Sequence, residues 1–262
     1  MFDTMTSYRL IASNMTRSLQ RVSKEPMVER ETAYYKKNIG NVKSIDEFMA
    51  DSRLYNYALK AFGLEDMAFA KAFVRKILTG GIKGDDAMAN KLTDKRYKEF
   101  ATVFDFAGKG EKATEGIAAQ QGVVDKYLRQ TLEKEAGSQN EGVRLALYFQ
   151  RKAPTLTNAY EILGDKALVS MIQTTFGWPS TISNAAIDKQ AKMIEDKIDF
   201  TKMSDPDYVS KLISRFTAMH EMKNPSASSP ASIASLLLGG TSSVGISMNI
   251  LSTLQSFRLG GR

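Results

Sequence analysis

Cysteine is absent from the 262 residues, which excludes disulfides, thiolate nucleophiles, cysteine-ligated zinc and iron–sulfur clusters. Histidine occurs once, as His220, so a histidine-rich metal centre is excluded and imidazole base catalysis has a single candidate. His220-Glu221 opens like a zinc-protease helix, but the second histidine that chemistry needs does not exist. No apolar run reaches the length of about eighteen residues that spans a bilayer. The nearest, between Ile233 and Leu251, is broken by Ser235, Gly239, Gly240 and Asn249, so no integral membrane segment is expected. The N-terminus lacks a basic head, an apolar stretch and a small-residue cleavage site, and no cleaved secretory signal is expected. Gly80-Gly81-Ile82-Lys83-Gly84 and Gly108-Lys109-Gly110 lack the hydroxyl residue of a phosphate-binding loop and read as plain loops. No cofactor or metal is expected.

What is present begins with charge. Lys and Arg number 36 against 29 Asp and Glu, a net charge of +7. The basic residues are dispersed. Their best local cluster, Tyr34-Tyr35-Lys36-Lys37 with Arg30 one turn earlier, is offset by Glu25, Glu29 and Glu31, so nucleic acid is not an expected partner. Hydrophobic residues make up 43% and charged residues 25%, enough apolar content for a buried core. Carboxylate pairs such as Glu29 and Glu31, Asp46 and Glu47, or Asp85 and Asp86 could serve glycoside cleavage, of peptidoglycan for instance. Nothing in their spacing poises one as an acid. A non-enzymatic protein is the primary expectation, with a carboxylate-pair enzyme as an alternative.

The chain resembles itself. A shift of 114 positions carries Arg30 onto Arg144, Tyr34 onto Tyr148, Tyr35 onto Phe149, Asp51 onto Asp165, Phe62 onto Phe176 and Gly63 onto Gly177. The matches are mostly apolar and recur at helical spacing. Asp51 and Asp165 each stand between two helical patterns, where a carboxylate caps the following helix. Gly63 and Gly177 close that helix, where a left-handed residue is needed. A looser match sets Leu92-Thr93-Asp94-Lys95-Arg96-Tyr97 against Met203-Ser204-Asp205-Pro206-Asp207-Tyr208, with Pro206 at a helix start. These patterns predict an all-α fold of two internally repeated helical units, each of about 70–75 residues, with amphipathic terminal segments. The expected organisation is an N-terminal amphipathic helix (1–24), unit one (25–106), a connecting loop and helix (107–140), unit two (141–223) and a Ser/Ala/Pro linker with a low-charge C-terminal tail (224–262).

Two features suggest protein contacts. Aromatic and cationic side chains sit together in both copies, so Tyr34, Tyr35, Lys36, Tyr148, Phe149 and Arg151 are candidate interface residues. The same pattern suits a half-buried helix whose charges snorkel outward, and that alternative stays open. The tail carries Leu251, Leu254 and Phe257 and has no acidic residue after Glu221. Its fates are packing on the body, docking on a partner or second copy, or disorder until assembly.

The runs Arg30-Glu31-Thr32-Ala33-Tyr34-Tyr35-Lys36-Lys37-Asn38-Ile39-Gly40-Asn41-Val42-Lys43-Ser44-Ile45-Asp46-Glu47-Phe48 and Asp51-Ser52-Arg53-Leu54-Tyr55-Asn56-Tyr57-Ala58-Leu59-Lys60-Ala61-Phe62-Gly63-Leu64-Glu65 are distinctive. The chain resembles an uncharacterised helical family of alphaproteobacteria, notably rhizobia and their relatives (domain of unknown function 1217). Members often lie beside flagellar genes, and some carry the name flagellar basal-body rod protein. The resemblance implies a structural or assembly role at the flagellum, with flagellar components or a second copy as partners. It further implies synthesis in the cytoplasm and signal-independent export to the basal body. A cytoplasmic chaperone or regulator of flagellar export is the alternative. The helical, repeated middle differs from familiar rod proteins, which tend to carry β-rich domains there. The resemblance supplies no catalytic residue.

Overall fold

The structure, a computed structural model, describes residues 3–224, and every regular element among them is helical. Helices α1 (Thr4–Ser13) and α2 (Met15–Ser23) lead into α3 (Pro26–Asn38), α4 (Ile45–Ala50) and α5 (Ser52–Ala61). Next come α6 (Lys71–Gly80), α7 (Met88–Lys91), α8 (Lys95–Val103), α9 (Phe106–Lys109) and the long α10 (Gln121–Gln139). The chain continues through α11 (Glu141–Lys152), α12 (Ala159–Leu163), α13 (Lys166–Phe176), α14 (Ile187–Glu195) and α15 (Pro206–Lys223). The tail with Leu251, Leu254 and Phe257 lies outside the described residues.

Two helices stand at the N-terminus where the sequence suggests one. Asn14 takes φ −120° and ψ 37°, and its side-chain amide donates to the Leu10 carbonyl at 3.2 Å. A short polar side chain that satisfies a carbonyl one turn back competes with the helix and lets the chain turn there. The two helices then go different ways. Tyr8 of α1 joins one hydrophobic core, and Val22 of α2 joins the other.

The first core is aromatic. Phe48, Phe62, Phe100 and Phe104 interlock, with Phe48 and Phe104 centred 4.8 Å apart and Phe62 edge-on to Phe100 at 5.3 Å. Beside them Tyr57 lies between Tyr35 and Tyr127, at 4.4 and 3.8 Å. The second core is mainly aliphatic, built from residues such as Phe149, Ile162, Met171, Ile172, Ile213 and Phe216. Phe48, Phe100, Phe104, Phe149 and Phe216 are fully buried, so truncating any one to alanine costs about 3–5 kcal/mol. Helix α10 serves both sides: it lends Val123, Val124, Tyr127 and Leu132 to the first core and packs lengthwise along α11.

At the far end α15 returns to the start of the chain. Thr4 Oγ1 donates to Glu221 Oε2 at 2.7 Å and accepts from the Asn140 side chain at 3.0 Å. His220 packs against Gly142, where a Cβ would fall 2.6 Å from Nδ1, and that nitrogen is buried without a hydrogen-bond partner. Burial pushes the imidazole below its ordinary value, against the opposing fields of Glu221 and Glu141 and with help from Lys223. The folded protein therefore holds His220 neutral while the unfolded chain protonates it near pH 6.5. Its contribution to stability is complete above about pH 6.5 and is lost as pH falls through the depressed folded value. Urea unfolding just below that pH should show stability falling in the wild type, with a flatter profile in His220→Gln.

Candidate interaction faces

The segments 26–63 and 141–177 share a series of local hydrogen bonds. Each opens with a helix, α3 or α11, that ends in a 3₁₀ turn, Ile39–Asn41 or Ala153–Thr155. Ser44 and Asn158 cap α4 and α12 by accepting from Glu47 and Glu161 backbone amides, and those glutamates reach back to the Lys43 and Thr157 amides at 2.7 and 2.8 Å. The arrangement is a variant of the capping box, with the glutamate bonding the amide just before the cap residue rather than the cap's own. Asp51 then accepts from the Arg53 and Leu54 amides, and Asp165 from those of Ala167 and Leu168. Gly63 at φ 70° and Gly177 at φ 68° close the following helices. The next amides, of Leu64 and Trp178, bond back to Leu59 and Gln173 at 2.8 Å each, the Schellman geometry.

Each aspartate also receives a tyrosine hydroxyl: Tyr34 donates to Asp51 Oδ2 at 2.7 Å, and Tyr148 donates to Asp165 Oδ2. The pairs differ in what surrounds them. Tyr148 is 7% exposed, and burial together with the Asp165 carboxylate pushes its hydroxyl far above the phenol range. Tyr34 is half-buried and flanked by exposed Arg30, Lys36, Lys37 and Arg53. The Arg53 guanidinium lies 3.7 Å over its ring and pairs with Glu31.

The candidate interface set is thereby divided. Tyr35 and Phe149 are fully buried, and Tyr35 donates to the Ala119 carbonyl at 2.7 Å. Both are core residues, because neighbours on a helix point about 100° apart and the residue beside an outward tyrosine faces inward. Tyr148 is covered too. Tyr34 and Lys36 remain at the surface.

Arg151 points into a cluster the sequence does not reveal. It donates from Nε and Nη2 to Glu133, both at 2.8 Å, and Arg129 donates to the same carboxylate at 2.9 Å. Glu133 is 1% exposed. Arg129 stands one turn earlier on the same helix, and the approach of α11 brings the second partner, Arg151.

Beside this cluster an open cleft of about 750 Å³ lies among α8, α10 and the α11–α13 segment. Its acids are engaged. Glu99 bonds both Lys126 and Lys152, and Asp94 bonds Arg96. Burial raises the Glu99 carboxyl, but the two lysines overcome it and hold the group below its usual range. A hydrogen bond with Glu135 holds the Glu25 carboxyl above its usual range, with Arg21 bonded to both carboxylates. Among the described residues no cluster of three acidic, histidine or cysteine side chains is arranged to hold a metal. Nor is any helix there long and apolar enough to cross a membrane.

The DUF1217 family, described as a protein of unknown function, matches residues 61–209, more than half of the chain. The chain belongs to this family. A crystal structure of an Agrobacterium tumefaciens protein is similar to this DUF1217 chain at 57% sequence identity and a TM-score of 0.80, covering 85% of this chain and 94% of that one. Comparison with curated proteins gives no match.

Two outcomes follow. Asp51→Ala removes a cap and should cost about 1–2 kcal/mol in urea unfolding, whereas Asp165→Ala also orphans the covered Tyr148 hydroxyl and should cost about 1–3 kcal/mol more. Glu133→Ala leaves two part-buried guanidiniums without their counter-charge, and a loss of up to about 3–5 kcal/mol is expected in the same assay.

Proposed function

We propose that this DUF1217 protein is a non-enzymatic structural or assembly protein that acts through protein–protein contacts, associated with the bacterial flagellum. Its body is two copies of one helical unit, joined through α10. One observation carries the contact reading: the Tyr148 side of the Tyr148–Asp165 motif is buried, while among the described residues the Tyr34–Asp51 motif is half-buried and flanked by exposed Arg30, Lys36, Lys37 and Arg53, with Glu31 pairing two of them. Bulky amphipathic side chains beside arginine and lysine are a common composition for a contact face. The engaged acids of the cleft favour a structural role for that charge over a catalytic one. The flagellar assignment rests on the resemblance of the two sequence runs, 30–48 and 51–65.

Fractionation of native cells into cytoplasm, membranes and purified flagellar basal bodies tests the assignment. Recovery with basal bodies is the expected outcome. A wholly cytoplasmic signal would overturn the basal-body role and leave an export chaperone or regulator as the reading to pursue.

A further inference from the structure

A groove of about 420 Å³ lies among α12, α13 and α14, with Leu163, Val169 and Ile187 in its wall. Leu163 and Val169 continue it toward Trp178, Ile182 and Ile194. Among the described residues, Lys166 is the one charged group that lines it. Its two glutamines turn their amides aside: Gln173 donates to Ser183 Oγ at 2.9 Å, and Gln190 to the Ala185 carbonyl at 2.7 Å. Ile187 is 51% exposed. The same helix face is closed in the first half, where the shift of 114 carries Met49 and Tyr55, both buried, onto Leu163 and Val169. Open apolar walls of this kind gain from a cover.

The described residues end close to the Trp178 side of this groove. A Cβ on Gly177 would sit 3.3 Å from Cε of Met219 on α15, and Trp178 is the next residue. Met222, almost one turn past Met219, is 69% exposed, and Asn224 is the last residue described. Residues 225–257 then contain no charged side chain, and their first apolar group after the Ser/Ala/Pro linker is Ile233, Leu236, Leu237 and Leu238. At about 3.3 Å per residue the linker 225–232 can span about 26 Å. The groove floor from Lys166 to Gln173 is two turns of helix, about 11 Å. The reach suffices.

We infer that the 233–238 segment docks in the α12–α13–α14 groove of its own chain, with its leucines against Leu163, Val169 and Ile187. Two features name this occupant. A segment without charges fills an apolar groove without stranding an ion, and Lys166 can lay its stem along the edge with its ammonium in water. A tether this short also presents the segment at about millimolar effective concentration, ahead of a second copy or a free partner. This docking involves neither the Tyr34–Asp51 face nor the flagellar assignment, and stands or falls apart from both.

Photo-cross-linking of the full-length protein tests it. Because the chain has no cysteine, Ile187→Cys offers one attachment site for a benzophenone maleimide. Irradiation should join the label to peptides holding 233–238, mapped by mass spectrometry, in a product of monomer mass whose yield is independent of protein concentration. Lys98→Cys, on the charged cleft, should give no such product. Leu236→Asp and Leu237→Asp together should weaken docking about tenfold or more and lower the yield with it. Circular dichroism verifies that each labelled protein remains helical. No product with the tail, equal yields from the two sites, or an undiminished yield in the double variant would overturn the inference. So would a product found only between chains, which would make a second copy the occupant.

Discussion

A carboxylate taken out of water needs its charge matched in place, and Glu133 meets that need with one guanidinium from its own helix and one from the next. Arg129 lies one turn earlier on α10, and Arg151 comes from α11. A slip of α10 along α11 by one turn would strand the carboxylate, so the arrangement admits one register. Arg129 tightens it further by donating to the Leu147 carbonyl at 3.1 Å. An apolar trio could fill the same volume without loss of stability; the ions add a defined alignment. From that fixed rod Tyr127 extends into the tyrosine stack of the first core. Both cores therefore take their relative position from one buried charge.

The two tyrosine–aspartate motifs show how one local structure serves two ends. Within each, the cap, the capping box and the closing glycine satisfy backbone groups without help from distant residues. Burial of the motif is a separate matter, decided by what the rest of the chain lays over it. Arg53 on Tyr34 shows what the less covered copy does alone: a cation from α5 lies over the ring.

The parts legible in the sequence are those governed by near neighbours. Asp51 and Asp165 stand out because a carboxylate precedes an apolar helical period, and Gly63 and Gly177 because few other residues fit a left-handed helix end. The all-helical class follows from the same periodicity. Which aromatic faces outward is less legible, since Tyr34 and Tyr35 are adjacent and chemically alike while the helix turns them to different sides. Arg96, Glu133 and Gly164 gave no signal. Beyond their near neighbours Asp94 and Arg129, the groups that meet them come from distant segments, Gly63 on Arg96, Arg151 on Glu133 and Thr93 on Gly164, and a charged run or a lone glycine has the same appearance in sequence whether or not another segment approaches it.

The uneven distribution of rings has an optical consequence. Trp178 is the chain's one tryptophan, and it lies against Phe176 with ring centres 5.3 Å apart, packed on the aliphatic core. The stacked Tyr35, Tyr57 and Tyr127 belong to the other core. Indole emission therefore reports on one half of the molecule, and the near-ultraviolet dichroism of the coupled phenols on the other. An unlabelled sample carries a separate spectroscopic signature for each half, and the lag between them during unfolding measures how firmly α10 binds the two into one cooperative body.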